Sequence, residues 1–214
     1  VRVPAGHATL GVDRAAIPFG WDNECPAWSV DVPAFSIERH DVTNARYFEF
    51  VEAGGYRDPR WWTEDDWQRV QAEARPHPLF WERIGADWYW RGMFELIPLP
   101  ASWPVYVSLA EASAFARWRG ARLPTESEFQ RAAYGSPDGE RAYPAGASAW
   151  GVEDLVGNGW EWTSTAFAPF PGFRPIASYP EYSADFFDGQ HFVMKGAAPA
   201  TARELLRPTF RNWF

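Results

Sequence analysis

Fourteen tryptophans set among 19 prolines and 17 glycines constrain this chain more than any single motif does. Proline breaks the hydrogen bonding of a helix interior or a central strand, and glycine loses the most freedom when it is ordered. A chain rich in both spends much of its length in turns and irregular backbone. Large aromatic side chains supply the buried area that pins such backbone in place. With 214 residues there is enough chain for one large domain with a real core. The expectation is a loop-rich α+β domain with little regular secondary structure, rather than a helical bundle or an α/β repeat. No internal repeat or low-complexity linker divides residues 1–214, so they read as one domain.

The formal net charge is −8, and Lys195 is the single lysine. A phosphate-backbone binder carries a basic surplus, so nucleic acid is excluded as the expected partner. No apolar stretch approaches the length of a membrane span, and Val1-Arg2-Val3-Pro4-Ala5-Gly6 lacks the apolar core of a signal peptide. The one cysteine, Cys25, rules out an internal disulfide and suits a cytoplasmic address.

Several elements are marked by their ends. Thr43 caps a predicted helix over Asn44 to Ala53 that stops at Gly54-Gly55. A second is predicted around Thr63 to Ala74, with Glu64-Asp65-Asp66 as a solvated first turn. Two capping boxes, Ser108-Leu109-Ala110-Glu111 and Thr125-Glu126-Ser127-Glu128, open helices that run to Arg119 and Tyr134. Strands are predicted within Val1 to Val12, at Trp28 to Val32, Phe35 to Ile37, Trp160 to Thr163 and His191 to Met194. A hairpin is predicted over Phe80 to Phe94, turning at Gly85-Ala86-Asp87. Trp160 and Trp162 are expected in the core.

His7, His40, His77 and His191 show no spacing that places two imidazoles on one helix face, so no iron ligand set is expected within this chain. Phosphate-binding glycine loops and a Gly-x-Ser-x-Gly nucleophile elbow are also missing from the sequence.

Three ordered motifs carry a resemblance. Gly120-Ala121-Arg122-Leu123-Pro124-Thr125-Glu126-Ser127-Glu128-Phe129-Gln130-Arg131-Ala132-Ala133 resembles the G-x-R-L-P-T-E-x-E-W-E-x-A-A signature of formylglycine-generating-enzyme-like (sulfatase-modifying-factor) domains. Asp154-Leu155-Val156-Gly157-Asn158-Gly159-Trp160-Glu161-Trp162 resembles their D-x-x-G-N-V-W-E-W, and Val42-Thr43-Asn44-Ala45-Arg46-Tyr47-Phe48-Glu49-Phe50 their V-T-N-x-x-Y-x-x-F. The resemblance implies a C-type-lectin-like α+β fold. Copper-binding members use a cysteine pair near the C-terminal end, and no cysteine follows Cys25 here, so that chemistry is not expected.

The Gly54-Gly55-Tyr56-Arg57-Asp58-Pro59-Arg60-Trp61-Trp62, Tyr179-Pro180-Glu181-Tyr182 and Arg207-Pro208-Thr209-Phe210-Arg211-Asn212-Trp213-Phe214 segments are similar to the other branch, the iron-dependent sulfoxide synthases of ergothioneine biosynthesis. In that branch a DinB-like N-terminal domain holds the Fe²⁺. The resemblance therefore implies that this chain is the substrate-pocket domain alone, stops short at its C-terminus, and is inactive by itself. It implies an O₂-using oxidoreductase that joins a thiol to a trimethylhistidine-like imidazole. The selenium-transferring relatives and a non-catalytic ligand-binding module are the alternatives, and the donor is left open.

The same resemblance assigns residues. Asn212 and Trp213 would contact the trimethylated histidine, with Phe214 beside them where some members carry an aspartate for the thiol substrate. Tyr179 and Tyr182 match the pocket tyrosine pair, one of which donates a proton in some members. Arg207 and Arg211 are the candidates for a substrate carboxylate, because a guanidinium fork fits it bidentately. Asn158 and Glu161 are the oxygen donors for a structural Ca²⁺.

Overall fold

A computed structural model describes residues 1–140 and 146–214. In chain order the regular elements are β1 (Arg2–Val3), β2 (Gly6–Leu10), β3 (Trp28–Val32), β4 (Phe35–Ser36), α1 (Asn44–Glu52), α2 (Glu64–Glu73), β5 (Trp81–Ile84), β6 (Asp87–Arg91) and β7 (Leu96–Pro98). They continue with α3 (Leu109–Trp118), α4 (Glu126–Tyr134), β8 (Gly135–Ser136), β9 (Gly139–Glu140), β10 (Glu161–Ala166), α5 (Glu181–Ala184), β11 (Phe192–Lys195) and β12 (Asn212–Trp213). Short 3₁₀ turns and loops join them. Among the described residues no helix is long and apolar enough to cross a membrane.

The chain forms two compact units. The first combines residues 1–40 with 124–214, and the second is residues 41–123.

In the first unit the sheets are small. β1 pairs with β4, β2 with β3, and β8 with β9 in a hairpin, all antiparallel. The largest sheet of this unit has the order β10-β11-β12. Helix α4 starts where the sequence says it should, because Thr125 Oγ1 accepts from the Glu128 amide while the Glu128 carboxylate accepts from the Thr125 amide. Its inner face buries Phe129, Ala132, Ala133 and Tyr134 against Val3, Val152 and Leu155. Each large apolar side chain so buried stabilises the unit by about 1.5–3 kcal/mol.

The second unit packs its aromatic side chains around α1 and α3. Tyr47, Phe50, Tyr56, Trp62, Trp81 and Phe115 form its core, with ring centroids of neighbouring pairs 5.2–6.3 Å apart. Gly55 is required here, since a Cβ at that position would lie 2.1 Å from the Phe50 ring. Tyr56 donates to Glu111 Oε1 at 2.6 Å, so the carboxylate that caps α3 also satisfies a buried phenol. Burial and the Glu111 charge push the Tyr47 and Tyr56 phenols well above their ordinary range.

The capped helices lie where the sequence places them, within one residue at each end, and the Gly85 hairpin forms within the predicted span, its second strand ending at Arg91. One expectation is corrected. Trp160 and Trp162 are only half-buried, Trp160 packing on Phe210 at 5.8 Å and Trp162 on Phe214 at 6.4 Å. Strands β7, β8, β9 and β12 and helix α5 fall outside the predicted elements; each is four residues or shorter, too short to show a period.

Candidate functional site

The segment that ends the chain is held by buried charge. Arg211 is 2% exposed and points into the first unit. Its Nε donates to Glu126 Oε1 at 2.8 Å and its Nη2 to Glu126 Oε2 at 3.0 Å, while Nη1 donates to the carbonyls of Asn23 and Ala168 at 3.1 Å each. The guanidinium also lies 4.1 Å from the Phe170 ring centroid. Glu126 is the first residue of α4, where the helix dipole favours a carboxylate. The fork expected to hold a substrate carboxylate therefore holds Glu126 instead, with four of its N–H groups committed.

Arg207 is bound in the same way. Its Nε donates to Glu24 Oε2 at 2.7 Å, its Nη2 to Glu24 Oε1, and its Nη1 to the Glu204 carbonyl at 2.5 Å. Glu24 is fully buried and also accepts from the Thr209 hydroxyl at 2.6 Å and the Trp21 amide at 2.8 Å. A buried carboxylate with this many donors needs its cation, so Arg207 fixes the loop before β12 and is not available as a free anion receptor.

Lys195 closes the arrangement. Its ammonium is buried and donates to the carbonyls of Pro208 and Phe210, both at 2.8 Å. Gly196 follows at φ +100, where a Cβ would stand 2.8 Å from the Leu155 carbonyl oxygen. Burial, reinforced by the Arg211 charge, lowers the Lys195 ammonium from 10.5 to about 8, against the pull of Glu126 and Glu24. Between those two values the unfolded chain holds the proton that the folded one has lost. Stability from this residue therefore rises with pH across that window, by about 3 kcal/mol in all. Urea unfolding from about pH 7 to about pH 10.5 should show this rise in the native chain and not in Lys195→Met. Equal slopes in the two proteins would refute the assignment.

Above this charged floor sits an aromatic cluster. The Tyr182 ring stacks on Trp21 at 4.2 Å and 14°, and Trp213 meets Tyr182 edge-on at 5.6 Å and 90°. Trp213 stacks on Phe167 at 4.4 Å and is flanked by Phe186 at 5.5 Å. Tyr179 stands 5.9 Å from Tyr182 and is 56% exposed, at the rim. Helix α5, which carries Tyr182, is tied down by Ser183, whose hydroxyl donates to Asp22 Oδ1 at 2.5 Å and accepts from the Asn23 amide at 3.0 Å. Burial, then the charges of Asp22 and Glu24, push the Tyr182 phenol up to about 12, so it stays protonated throughout the neutral range.

Of the residues singled out in the sequence, Tyr179, Tyr182 and Trp213 are thus brought together. Asn212 and Phe214 are not. Alternation along β12 sends Asn212 to the opposite face from Trp213, beside its cross-strand neighbours Met194 and Trp162. Phe214 is 80% exposed and extends the ladder through backbone bonds with Phe192. The sequence reading missed Trp21, Asp22, Asn23, Glu24 and Phe167. A polar Asp-Asn-Glu run looks like a solvated turn, and nothing local announces that it is buried.

Among the described residues no group of three or more His, Cys, Asp or Glu side chains is arranged to hold an ion. His7 pairs with Asp31, His191 with Asp188, and His77 packs against Trp88. Asn158 and Glu161 lie on and just before β10, and Glu161 Oε1 lies 3.6 Å from where a Gly196 Cβ would be. Glu161 Oε1 is buried and accepts no hydrogen bond, so these two side chains offer a carboxylate and an amide oxygen, and the remaining oxygens of a calcium shell would come from backbone carbonyls and water.

Comparison with known proteins identifies the architecture. Residues 1–148 and 142–214 match the sulfatase-modifying factor enzyme 1-like domain family. The chain is similar to the hercynine oxygenase of Mycolicibacterium smegmatis, 40% identical over 247 residues that cover all of this chain and 57% of the relative. It is also similar to ergothioneine biosynthesis protein 1 of Schizosaccharomyces pombe, 31% identical over 92% of this chain and 26% of the relative. The chain spans about half the length of the curated hercynine oxygenases it matches. The solved structure of PvdO from Pseudomonas aeruginosa superposes with a TM-score of 0.60 at 18% identity, covering 100% of this chain and 87% of that one, which supports the fold. The chain belongs to the sulfatase-modifying factor enzyme 1-like domain family.

Proposed function

We propose that this chain is the substrate-pocket part of an oxygen-using oxidoreductase in ergothioneine biosynthesis. The observation that carries the reading is the Trp21–Tyr182–Trp213–Phe167 cluster, built on a rigid buried network in a chain whose relatives are named hercynine oxygenase and ergothioneine biosynthesis protein. A trimethylammonium group has no N–H to donate and is recognised by aromatic faces. Trp213 and Tyr182 supply those faces, while Asn212, on the opposite face of β12, takes no part in that contact. The overall reaction balances as thiol plus imidazole C2–H plus O₂ giving an imidazolyl sulfoxide plus water. The S–H and C–H bonds break, a C–S and an S–O bond form, and the second oxygen atom leaves as water.

Iron chemistry belongs, in this reading, to a preceding domain, since the histidines of this chain do not converge. The contribution of this chain is to bind and orient the imidazole and to hold a proton on the Tyr182 oxygen. Positioning of this kind accounts for a large part of the rate gain in a two-substrate reaction. Sulfoxide formation and O₂ uptake, assayed with Fe²⁺, trimethylhistidine and either cysteine or γ-glutamylcysteine, test the proposal. Product should form when the chain is joined to its preceding segment and not when the 214-residue chain is assayed alone. Product from the chain alone would overturn the division of labour. Tight trimethylhistidine binding with no product from the longer form would favour a non-catalytic binding module.

A further inference from the structure

The second unit contains a cavity of about 280 Å³ that plays no part in the function proposed above. Its lining includes Glu52, Tyr56, Arg57, His77, Arg83 and Trp88. Among the described residues neither Arg57 nor Arg83 has a carboxylate within ion-pair distance, so both guanidiniums of this concavity are open to an outside anion. In a chain of net charge −8, this concavity brings two guanidiniums together with a single acid, Glu52.

The wall between them is aromatic. The Arg83 guanidinium carbon lies 5.8 Å from the Trp88 ring centroid, and the His77 ring meets Trp88 edge-on at 5.3 Å and 80°. His77 is itself fixed, its Nδ1 donating to the Pro78 carbonyl at 3.1 Å while its own carbonyl accepts from Arg75 Nε at 3.2 Å. Beneath the cavity lie Tyr56 and the packed core of the unit, so this floor is rigid. Glu52 is the one acid of the lining, against two arginines.

We infer that this cavity binds a small organic anion with a flat apolar body, its carboxylate or phosphate held by Arg57 and Arg83 and its body lying along Trp88. A guanidinium fork matches both anionic heads, and an arginine already placed by an indole loses less freedom on binding. The volume suits a single aromatic ring with its charged substituent, at the small end of ligand pockets. The inference is independent of the sulfoxide-synthase reading, because it uses residues 51–88 alone.

Titration of the 214-residue chain with phenyl phosphate, benzoate and inorganic phosphate tests it, followed by calorimetry and by the Trp88 indole N–H resonance, assigned with Trp88→Phe. Phenyl phosphate or benzoate should bind saturably and shift that resonance, and the tighter of the two identifies the head group. Inorganic phosphate should bind roughly tenfold more weakly, for want of the apolar body. Arg57→Gln and Arg83→Gln should each weaken binding by roughly tenfold or more, with the far-UV circular dichroism unchanged because both side chains are exposed. Affinity unchanged in the double substitution, equal affinity for inorganic and phenyl phosphate, or no saturable response at Trp88 overturns the proposal.

Discussion

Replacing Arg211 by methionine should cost about 3–5 kcal/mol of stability, enough to unfold a large fraction of the first unit at physiological temperature. The variant leaves the Glu126 carboxylate 2% exposed without its hydrogen-bonded cation, and removes the donor to the carbonyls of Asn23 and Ala168. Desolvation of one unpaired carboxylate outweighs the apolar area that methionine adds. Urea unfolding of Arg211→Met, Glu126→Gln and the double variant Arg211→Met/Glu126→Gln separates the contributions. The double variant should recover part of the loss, because it buries a neutral amide in place of a lone charge. A double variant as damaged as the sum of the two singles would show that the two side chains do not act as a pair.

Under the proposed function, Tyr182→Phe in the chain joined to its preceding segment should lower the turnover number by about a hundredfold, the scale of a lost positioned proton donor. Phenylalanine keeps the stack on Trp21 and the edge contact with Trp213, so the Michaelis constant for trimethylhistidine should change little. Tyr179→Phe is the control. Its ring is exposed at the rim, and its loss of a hydroxyl should alter turnover by less than about threefold. The raised Tyr182 phenol, at about 12, has a further consequence for the pH profile. No loss of rate from its ionisation should occur on the alkaline side of neutrality until close to that value, so an alkaline limb near pH 9 that disappears in Tyr182→Phe would contradict the role given to it. Steady-state kinetics of the two variants decide the matter.

Four helices were legible in the sequence because their signals are local. Thr43, Thr63, Ser108 and Thr125 each accept the hydrogen bond of an amide three residues on, and such a bond needs no knowledge of the rest of the chain. The pairing of Arg211 with Glu126 was not legible, since 85 residues separate them and an arginine followed by an asparagine and a tryptophan looks equally suited to a ligand. The aromatic cluster was half legible. Family motifs pointed to Tyr182 and Trp213, but Trp21 and Phe167 reach them only through tertiary packing. The opposite orientation of Asn212 and Trp213 follows from their being on a strand, and a two-residue strand has no periodicity to betray it.

The division of the first unit into residues 1–40 and 124–214 has a consequence for synthesis. Val3 packs against Phe129, Val152 and Leu155, which leave the ribosome more than a hundred residues later. The second unit, residues 41–123, draws on one uninterrupted stretch and has all of its core residues available first. Order of emergence and order of assembly therefore differ: β2 and β3 have each other at once, but the face they turn to α4 waits while the middle of the chain folds. The waiting strands expose Ala8, Leu10 and Val32 until α4 arrives, and that interval is when the nascent chain is most open to chaperones and to aggregation.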